Sequence, residues 1–336
     1  MRVVHVQRRP RAQANFSVEQ SFALVREALA PTLPIQLVVA SRESSGIAAR
    51  WRIATEVANA QGDVTHILGD VTFAALALES RRTIVTVLDC VQETLPNPLR
   101  RAILNLFWLK LPVARAARVT AISTFTRDRI AQITGCRANA IVVIPPAVSP
   151  RFVLVPHTFD VRTPRVLLVG TTPNKNTDRA LAALAGTPCT AVIVGVVSDT
   201  LRRTAAAAGV PLECHESLTA DAMHDAYVRA DLLLFPSTYE GFGLPIVEAQ
   251  ATGRAVVTSA AASMPEAAGD AAAFVDPTSV ESIRAAVRRL ISDVGHREGL
   301  VARGLENARR FAPGPIAAQY AALYRDVYAH VGARSR

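Results

Sequence analysis

The feature that most constrains this chain is an alternation of short β-branched runs with helical patterns, and it occurs in two separate series. The strand candidates of the first series are Arg2–Val6, Ile35–Val39, His66–Leu68, Thr83–Leu88, Arg118–Ile122 and Ala140–Ile144. Those of the second series are Arg165–Val169, Thr190–Val194, Leu212–Cys214, Leu232–Phe235, Ala255–Thr258 and Ala272–Val275. Such alternation predicts βαβ units, whose crossover connections build parallel sheets.

The domain organisation follows from the gap between the two series. A chain of 336 residues is long for one ordinary core. The stretch Pro145–Pro164 holds five prolines and little periodicity, so it predicts a linker and one hinge between two domains. We therefore expect an α/β protein with Rossmann-like domains at 1–150 and 151–314. A last helix, Pro315–Val331, should lead residues 315–336 back toward the first domain.

Charge is distributed unevenly along the chain. Residues 1–150 contain 18 Lys and Arg against 10 Asp and Glu, a net of +8, whereas residues 151–336 contain 19 against 18. A one-sided basic field attracts an anionic partner. No aromatic-rich basic sheet, zinc finger or recognition-helix pattern is found, so we expect no nucleic-acid partner. The segment Leu99–Leu111 mixes basic and bulky apolar residues, which fits either an anionic membrane surface or a core helix with basic groups reaching solvent.

The remaining composition favours a protein of the reducing cytosol without a bound cofactor. Apolar runs fall short of the ~18 residues of a membrane span, and the start of the chain lacks the pattern of a signal peptide. The four cysteines are scattered without a CxxC pair, which is typical of reduced thiols. The chain has neither the G-x-G-x-x-G motif of nicotinamide enzymes nor the P-loop motif of nucleotide triphosphatases. It also has no Asp-x-Asp motif, so we expect no metal ion bound to a diphosphate.

The stretch Phe235–Glu248 carries the strongest indication of a site. An apolar strand ends at Phe235, a loop containing Gly241 and Gly243 follows, and Pro245 opens a helix. In an open parallel sheet, ligands bind outside the carboxyl ends of the strands. A glycine loop that leads into a helix N-terminus offers free N–H groups and a partial positive charge, which suits phosphate.

Three charged side chains flank this predicted pocket. Glu240 and Glu248 lie on either side of the loop, and carboxylates accept paired hydrogen bonds from the vicinal hydroxyls of sugar or ribose. The alternative is that both are solvated groups favoured by the helix dipole. Lys175 follows the strand that ends at Val169, at the same sheet edge, and only Lys110 shares its residue type. The alternative interpretation is that Lys175 is an ordinary lysine exposed on a loop.

These motifs resemble the GT-B retaining glycosyltransferases of family 4, the glycosyl transferases group 1. The specific part of the match runs from Arg165 to Val327, and the first half fits more loosely through Thr120-Ala-Ile-Ser123 and Val143-Ile-Pro-Pro-Ala-Val-Ser149. The quoted motifs are Gly170-Thr-Thr-Pro-Asn-Lys-Asn176, Glu240-Gly-Phe-Gly-Leu-Pro-Ile-Val-Glu248, Ala249-Gln-Ala-Thr-Gly253-Arg-Ala-Val-Val257, Met264-Pro-Glu-Ala-Ala-Gly-Asp270 and Val275-Asp-Pro277.

The resemblance implies a role for each matched residue. Glu248 would bind the ribose hydroxyls of a nucleotide-diphosphate sugar, and Glu240 would contact the transferred sugar. Lys175 would bind the diphosphate, and Gly170 and Thr171 would belong to the same donor loop. The backbone of Gly241, Phe242, Gly243 and Leu244 would hold sugar and diphosphate. The acceptor would be a glycan or a lipid-linked molecule, as in bacterial cell-surface polysaccharide or glycolipid assembly.

The chain departs from the family pattern at two places. Thr171 or Thr172 stands where many members have an arginine, and we name Arg8 or Arg9 as cations that could substitute. Leu88 stands where members commonly have a histidine beside the 6-position of the transferred hexose, which predicts a preference for a 6-deoxyhexose or a pentose; His66 is a candidate replacement. These losses keep open a non-catalytic binding or scaffold protein, and a nucleotide-sugar epimerase is a further alternative.

Overall fold

The structure, a computed structural model, describes residues 1–10 and 17–333. These residues form two compact units. The first consists of Met1–Ala147 together with the chain from Pro313 onward, and the second is Val148–Ala312. The sequence predicted borders after 150 and 314, two or three residues later along the chain.

The first unit is built on a parallel sheet in the order β2-β1-β3-β4-β5-β6. Its strands are β1 (Val3–Gln7), β2 (Ile35–Val39), β3 (Val64–Leu68), β4 (Thr83–Val87), β5 (Arg118–Ala121) and β6 (Ile141–Val143). Its helices are α1 (Ser17–Leu29), α2 (Gly46–Asn59), α3 (Pro98–Leu104), α4 (Leu111–Arg115), α5 (Thr124–Thr134) and the last helix, α13 (Pro313–Ala333). A π-helical segment, Asn105–Lys110, joins α3 to α4.

The second unit repeats the architecture with the order β12-β11-β10-β7-β8-β9. Its strands are β7 (Arg165–Val169), β8 (Thr190–Val194), β9 (Leu212–His215), β10 (Leu232–Phe235), β11 (Ala255–Ser259) and β12 (Ala273–Val275). Its helices are α6 (Thr177–Ala183), α7 (Asp199–Ala208), α8 (Ala220–Arg229), α9 (Leu244–Ala251), α10 (Met264–Ala268), α11 (Val280–Ser292) and α12 (Val294–Arg309). After β7, the strands β8 and β9 are added on one side of it, and β10, β11 and β12 are then added on the other side.

The sequence located every strand of the described residues to within two positions at either end. Buried β-branched runs such as Val64–Leu68 explain this success, because a strand covered on both faces is apolar along its whole length. The helical patterns of the second half predicted α6, α7, α8, α9 and α11 but neither the short α10 nor the longer α12. The helix α12 contains Gly295, Gly299 and Gly304, which weaken the local helical signal. A Cβ on Gly304 would stand 3.0 Å from Cγ of Gln250, so glycine lets α12 approach α9 closely.

The helix α13 packs into the core of the first unit, against α1 and the sheet. The hydroxyl of its Tyr324 lies 2.7 Å from Nε2 of His5 and 2.8 Å from Nδ1 of His66. Nε2 of His66 in turn lies 2.6 Å from the Thr86 hydroxyl. Both histidines are fully buried, and burial lowers both of their pKa values. His66 is therefore a packed core residue, and the suggestion that it replaces a sugar-binding histidine is wrong.

The proline-rich stretch is anchored to the second unit over its length from Val148. It forms no helix or strand, but the Asp231 carboxylate lies 2.7 Å from Nε2 of His157 and accepts the backbone N–H of Asp160 at 2.8 Å. The side chain of Leu154 also packs over Gly253, where a Cβ would stand 2.6 Å from its Cδ1. The border between the two units, at Ala147 and Val148, lies within Pro145–Pro164, where the sequence predicted the linker. From Val148 onward this stretch is held against the second unit, because prolines interrupt secondary structure without preventing tertiary contacts.

The segment Leu99–Leu111 is helical and has one outward apolar face. Leu99 is 70% exposed, Ile103 45% and Phe107 42%. The inward side holds Leu109, which is fully buried, and Trp108, whose indole N–H donates to the Asp70 carbonyl at 2.9 Å. The alternative predicted that the bulky residues of this segment lie in the core, and it is wrong for the three on the outward face, which are exposed.

Candidate functional site

The predicted site residues lie on two loops at the reversal point of the second sheet. One loop runs from Gly170 to Asn176 after β7, and the other from Pro236 to Gly243 after β10. The two strands are hydrogen-bonded neighbours, with Leu232 opposite Val166 and Leu233 opposite Leu167. Because chain connections leave such a point in opposite directions, the carboxyl ends of its strands border an open crevice that is the usual ligand site of this architecture.

Asparagine side chains tie the two loops together. The Asn174 amide donates to the Tyr239 carbonyl at 2.9 Å, and the Thr238 N–H donates back to the Asn174 carbonyl at 2.8 Å. The Asn176 amide donates to the Pro236 carbonyl at 3.0 Å. Asn176 has a left-handed backbone with φ 59°, a conformation that asparagine adopts more readily than most residues. The loops therefore form one preorganised edge.

Lys175 sits at the centre of this edge. Its Nζ lies 2.8 Å from Oε1 of Glu240 and 4.7 Å from the centre of the Phe235 ring. Only 20% of the Lys175 side chain and 14% of the Glu240 side chain are exposed. The lysine is therefore a positioned cation, and the alternative of a solvated loop lysine is wrong.

Gly170 provides the space for the Lys175 stem. It has φ +87°, and a Cβ at this position would stand 2.9 Å from Cε and 3.0 Å from Cγ of Lys175. A side chain would therefore strain the backbone and push the lysine stem away. Thr171 lies beside Gly195, where a Cβ would be 3.1 Å from the threonine hydroxyl. Both glycines let the strand ends come close to the lysine loop.

The glycine loop after β10 is held from below by Ser263. Its buried hydroxyl lies 2.8 Å from the Glu240 carbonyl and 2.9 Å from the Phe242 carbonyl. The buried ring of Phe242 packs edge-on against Phe311 at 5.3 Å. Gly243 then adopts φ 107° and caps α9, which begins at Leu244 rather than at Pro245. The loop backbone is thus fixed before any ligand arrives.

Glu248 lies on α9, is partly buried, and is held by a tyrosine. The buried Tyr227 hydroxyl on α8 donates to Oε2 of Glu248 at 2.7 Å. Burial raises the pKa of Glu248 to about 7, although the tyrosine hydrogen bond and the charge of Lys175 both act to lower it. Glu240 and Glu248 therefore both lie within electrostatic reach of the same ammonium group.

The two proposed substitute arginines have partners of their own in the first unit. Nε of Arg8 lies 2.5 Å from the Glu19 carboxylate, and its Nη1 lies 2.7 Å from that of Asp70. Nη1 of Arg9 donates to the Ser41 carbonyl at 3.1 Å. Thr172, one of the two residues at the missing arginine position, donates its hydroxyl to Oδ1 of Asn174 at 2.8 Å. It thus serves the loop architecture.

The arrangement can bind a phosphate group next to hydroxyl groups. A fixed ammonium and a helix N-terminus stabilise negative charge, and two carboxylates accept hydrogen bonds from hydroxyls. Among residues 1–10 and 17–333, no cluster of three or more His, Cys, Asp or Glu could hold a metal ion. Within the same residues, no helix is both long and apolar enough to cross a bilayer.

Comparison with known proteins assigns the second unit to a family. Residues 156–307 match the model of the family described as glycosyl transferases group 1. They form a glycosyl transferases group 1 domain. The whole chain also superposes on sucrose-phosphate synthase from Thermosynechococcus elongatus with a TM-score of 0.77 at 16% identity, over 98% of this chain and 100% of that chain. The two six-stranded parallel sheets and this similarity establish the GT-B fold; the assignment to family 4 stays a prediction.

Sequence relatives of the group 1 domain include mannosyltransferases. The chain is 44% identical over 86 residues to O-antigen chain mannosyltransferase B of Escherichia coli, which is 26% of this chain and 23% of that protein. It is 30% identical over 223 residues to the GDP-mannose-dependent alpha-(1-6)-phosphatidylinositol monomannoside mannosyltransferase of Mycolicibacterium smegmatis, covering 55% of this chain and 58% of the relative. The matches therefore span only part of either relative.

The close packing of Gly170 against Lys175 generates a prediction about ligand binding. We expect Gly170→Ala to weaken binding of a nucleotide-diphosphate sugar about tenfold or more, because the added methyl group displaces the lysine stem. Isothermal titration of purified protein gives the dissociation constant.

Gly209→Ala is the matched control for backbone strain. Gly209 ends α7 with φ +67°, and a Cβ there would meet nothing within 4 Å. We expect it to lower the unfolding temperature comparably and to leave the dissociation constant unchanged. Equal binding by the two glycine variants would contradict a role of Gly170 in placing the lysine.

Proposed function

We propose that this chain is a retaining glycosyltransferase that moves a sugar from a nucleotide-diphosphate donor to a glycan or lipid-linked acceptor. The observation that carries the proposal is the pairing of Lys175 with Glu240 at 2.8 Å beside the glycine loop, at the reversal point of a parallel sheet. A phosphate-binding cation and a hydroxyl-binding carboxylate in direct contact fit the junction between the diphosphate and the sugar of such a donor.

In this reaction, the bond from the anomeric carbon to the diphosphate would break, and the leaving group would gain negative charge. The acceptor oxygen would form the new bond to that carbon, and its proton would pass to the departing phosphate oxygen. Lys175 would stabilise that charge, together with the backbone N–H groups at the start of α9. Glu240 would exchange its contact with the ammonium for hydroxyls of the transferred sugar. Glu248 would accept the ribose hydroxyls, which fixes the nucleotide against the sheet edge.

Retention would follow a front-face route, in which the acceptor enters on the side from which the diphosphate leaves. The route requires no protein nucleophile, so the glycosidase scheme of two carboxylates does not apply to Glu240 and Glu248. Positioning and stabilisation of the leaving group then supply most of the rate enhancement.

The relatives suggest the biological setting. Two of the relatives are mannosyltransferases that act in O-antigen and phosphatidylinositol mannoside synthesis, to judge from their names. Similarity to them favours a donor of manno configuration and a role in cell-surface polysaccharide or glycolipid assembly. The protein would then work at the cytoplasmic face of a membrane on which such acceptors are built.

Two alternatives predict different outcomes for donor chemistry. A non-catalytic scaffold would bind a nucleotide sugar without turnover, and an epimerase would convert it without an acceptor. A panel of nucleotide sugars is first tested by thermal shift, since a ligand that binds only the folded state raises its stability. The best ligand is then incubated with and without candidate acceptors. Binding without hydrolysis, epimerisation or transfer would support the scaffold, and an acceptor-independent epimeric product would support the epimerase.

The donor residues generate the first prediction of this proposal. Lys175→Ala should reduce kcat for transfer about a hundredfold or more, the effect of removing one group that stabilises developing charge. Glu240→Gln should reduce kcat/KM, and Glu248→Gln should weaken nucleotide binding. Glu213→Gln, whose carboxylate pairs with Arg165 and His215, is the charge-matched control. Wild-type rates in all three site variants would refute the assignment.

Leu88 generates a prediction about the donor sugar. It directly follows β4 and is partly buried, and a Cβ on Gly69 would overlap its Cδ1, so the leucine packs closely over that glycine. Leucine cannot hydrogen-bond a 6-hydroxyl, and leaving that group unpaired costs on the order of 1–3 kcal/mol. Together with the mannosyltransferase relatives, this favours a 6-deoxyhexose of manno configuration, with a pentose as the other sugar that lacks the group.

The comparison uses paired donors, GDP-mannose and GDP-6-deoxymannose. We expect wild type to prefer the deoxy donor in kcat/KM by up to about a hundredfold, since apolar pockets reject an added hydroxyl only weakly. Leu88→His should move the preference toward mannose, and Leu88→Met should leave it unchanged. A wild-type preference for GDP-mannose would refute this choice of donor without affecting the proposed reaction.

The outward face of α3 and the π-helical segment generates a prediction about membranes. Leu99, Ile103 and Phe107 are exposed beside Arg100 and Lys110. Exposed bulky residues of this kind insert into the lipid interface, and basic neighbours contact anionic head groups. We propose that this face contacts an anionic bilayer that carries the acceptor.

Vesicle flotation tests the membrane proposal. Wild type should float with anionic vesicles and not with neutral ones, and Arg100→Gln/Arg101→Gln should reduce the bound fraction about tenfold or more, since each basic residue near the surface contributes about 1 kcal/mol. Arg202→Gln/Arg203→Gln, an exposed pair in the second unit, is the control. Equal and negligible flotation with both vesicle types would discard the membrane and favour soluble acceptors.

A further inference from the structure

Tyr227 lies outside the motifs that the sequence analysis singled out, but its side chain contacts a residue of the predicted donor site. It lies on α8, its side chain is fully buried, and its hydroxyl donates to Oε2 of Glu248 at 2.7 Å. The ring is packed edge-on against Phe152 at 5.4 Å, and the Tyr227 carbonyl accepts from Nε of the buried Arg254 at 3.0 Å. Both the ring and the backbone of this tyrosine are therefore fixed.

The tyrosine leaves the other carboxylate oxygen available. Oε1 of Glu248 accepts no hydrogen bond from the described residues, and the Glu248 side chain is only partly buried. A carboxylate with one oxygen tied to a rigid donor cannot rotate freely, so its second oxygen keeps one direction. Such a group presents a defined acceptor to a ligand at no further cost in side-chain entropy.

Resting on the proposed function, we propose that Tyr227 is a positioning residue that orients Glu248 and stabilises its ionised form for the ribose hydroxyls of the nucleotide donor. The ribose hydroxyls donate hydrogen bonds, and an ionised carboxylate offers only acceptors. A protonated Glu248 would instead carry its own O–H group, which competes for the same directions. The phenol is thus part of what makes this carboxylate a ribose-binding group.

The electrostatic surroundings set the pH range in which the effect is visible. Among the described residues, the titratable groups that act on Glu248 are Tyr227 on α8 and Lys175 in the loop after β7. Burial raises the pKa of Glu248 to about 7, and these two groups oppose that rise. Donor affinity should therefore increase as pH rises through about 7 and decrease as Glu248 becomes protonated. Loss of the Tyr227 hydroxyl should move this midpoint to higher pH.

The test measures dissociation constants for GDP-mannose between about pH 5.5 and 9 by isothermal titration, with UDP-glucose as the second probe. A nucleotide sugar is used because its diphosphate does not titrate in this range. Wild-type affinity should fall about tenfold from high to low pH, and the midpoint should rise by about one pH unit or more in Tyr227→Phe, since a hydrogen bond to a charged group is lost. At the highest pH, where Glu248 is ionised in both proteins, Tyr227→Phe should keep only the smaller loss of affinity that results from a less well oriented carboxylate.

Three controls separate positioning from structural damage. Glu248→Gln should bind weakly at all pH values, and the 2′,3′-dideoxy analogue of the donor should bind wild type without this pH dependence. Tyr328→Phe, at an exposed position of α13, should keep the wild-type midpoint. Site-specific 3-fluorotyrosine at position 227 keeps the shape of the ring and makes the phenol a stronger donor, so the midpoint should move to lower pH.

The outcomes distinguish this inference from the proposed function. If neither probe nor any other nucleotide sugar binds wild type, the proposed function fails and the role of Tyr227 fails with it. If a donor binds but Tyr227→Phe and the fluorotyrosine protein keep the wild-type midpoint, only the role of Tyr227 is refuted. Affinity lost equally at every pH in Tyr227→Phe would likewise overturn it, because the midpoint would then not depend on the phenol hydroxyl.

Discussion

The pairing of β7 with β10 is the constraint on which the candidate site depends. These strands are far apart in sequence, but they lie side by side because the chain reverses its direction of winding between them. Their carboxyl ends place the lysine loop against the glycine loop, and hydrogen bonds from Asn174 and Asn176 lock the two together. Had β10 been added beyond β9 instead, Lys175 and Glu240 would lie on separate parts of the sheet.

Backbone conformation prepares this edge before a ligand is bound. Gly170, Asn176 and Gly243 all have positive φ angles, and each occurs where the chain turns sharply from a strand toward a helix. Conformations of this kind are costly for most residues, so they persist only where surrounding contacts enforce them. Here the contacts are made by Ser263 beneath the glycine loop and by the Lys175 stem over Gly170. The site is therefore rigid where phosphate and sugar would bind.

Polar groups serve different purposes in the two units. In the first, His5 and His66 share the Tyr324 hydroxyl inside a core closed by α13, where burial keeps both rings neutral. In the second, Tyr227 and Glu248 form a hydrogen bond next to a partly open edge, where the carboxylate remains accessible. A buried tyrosine thus stabilises a helix contact in one case and holds a partly buried carboxylate in the other.

The sequence by itself determined where the strands and the glycine loop lie, because periodicity and turn residues act over a few neighbouring positions. It also singled out Lys175, Glu240 and Glu248 as candidate site residues beside that loop. Only the tertiary structure decided which distant groups meet. Tyr227 contacts Glu248 across 21 positions, and Tyr324 reaches His5 across 319, with no local pattern that specifies either partner. The exposure of Leu99 and the attachment of the proline-rich stretch were equally undetermined. Burial depends on which elements pack together, and that choice is made by strand order and helix packing over the whole chain.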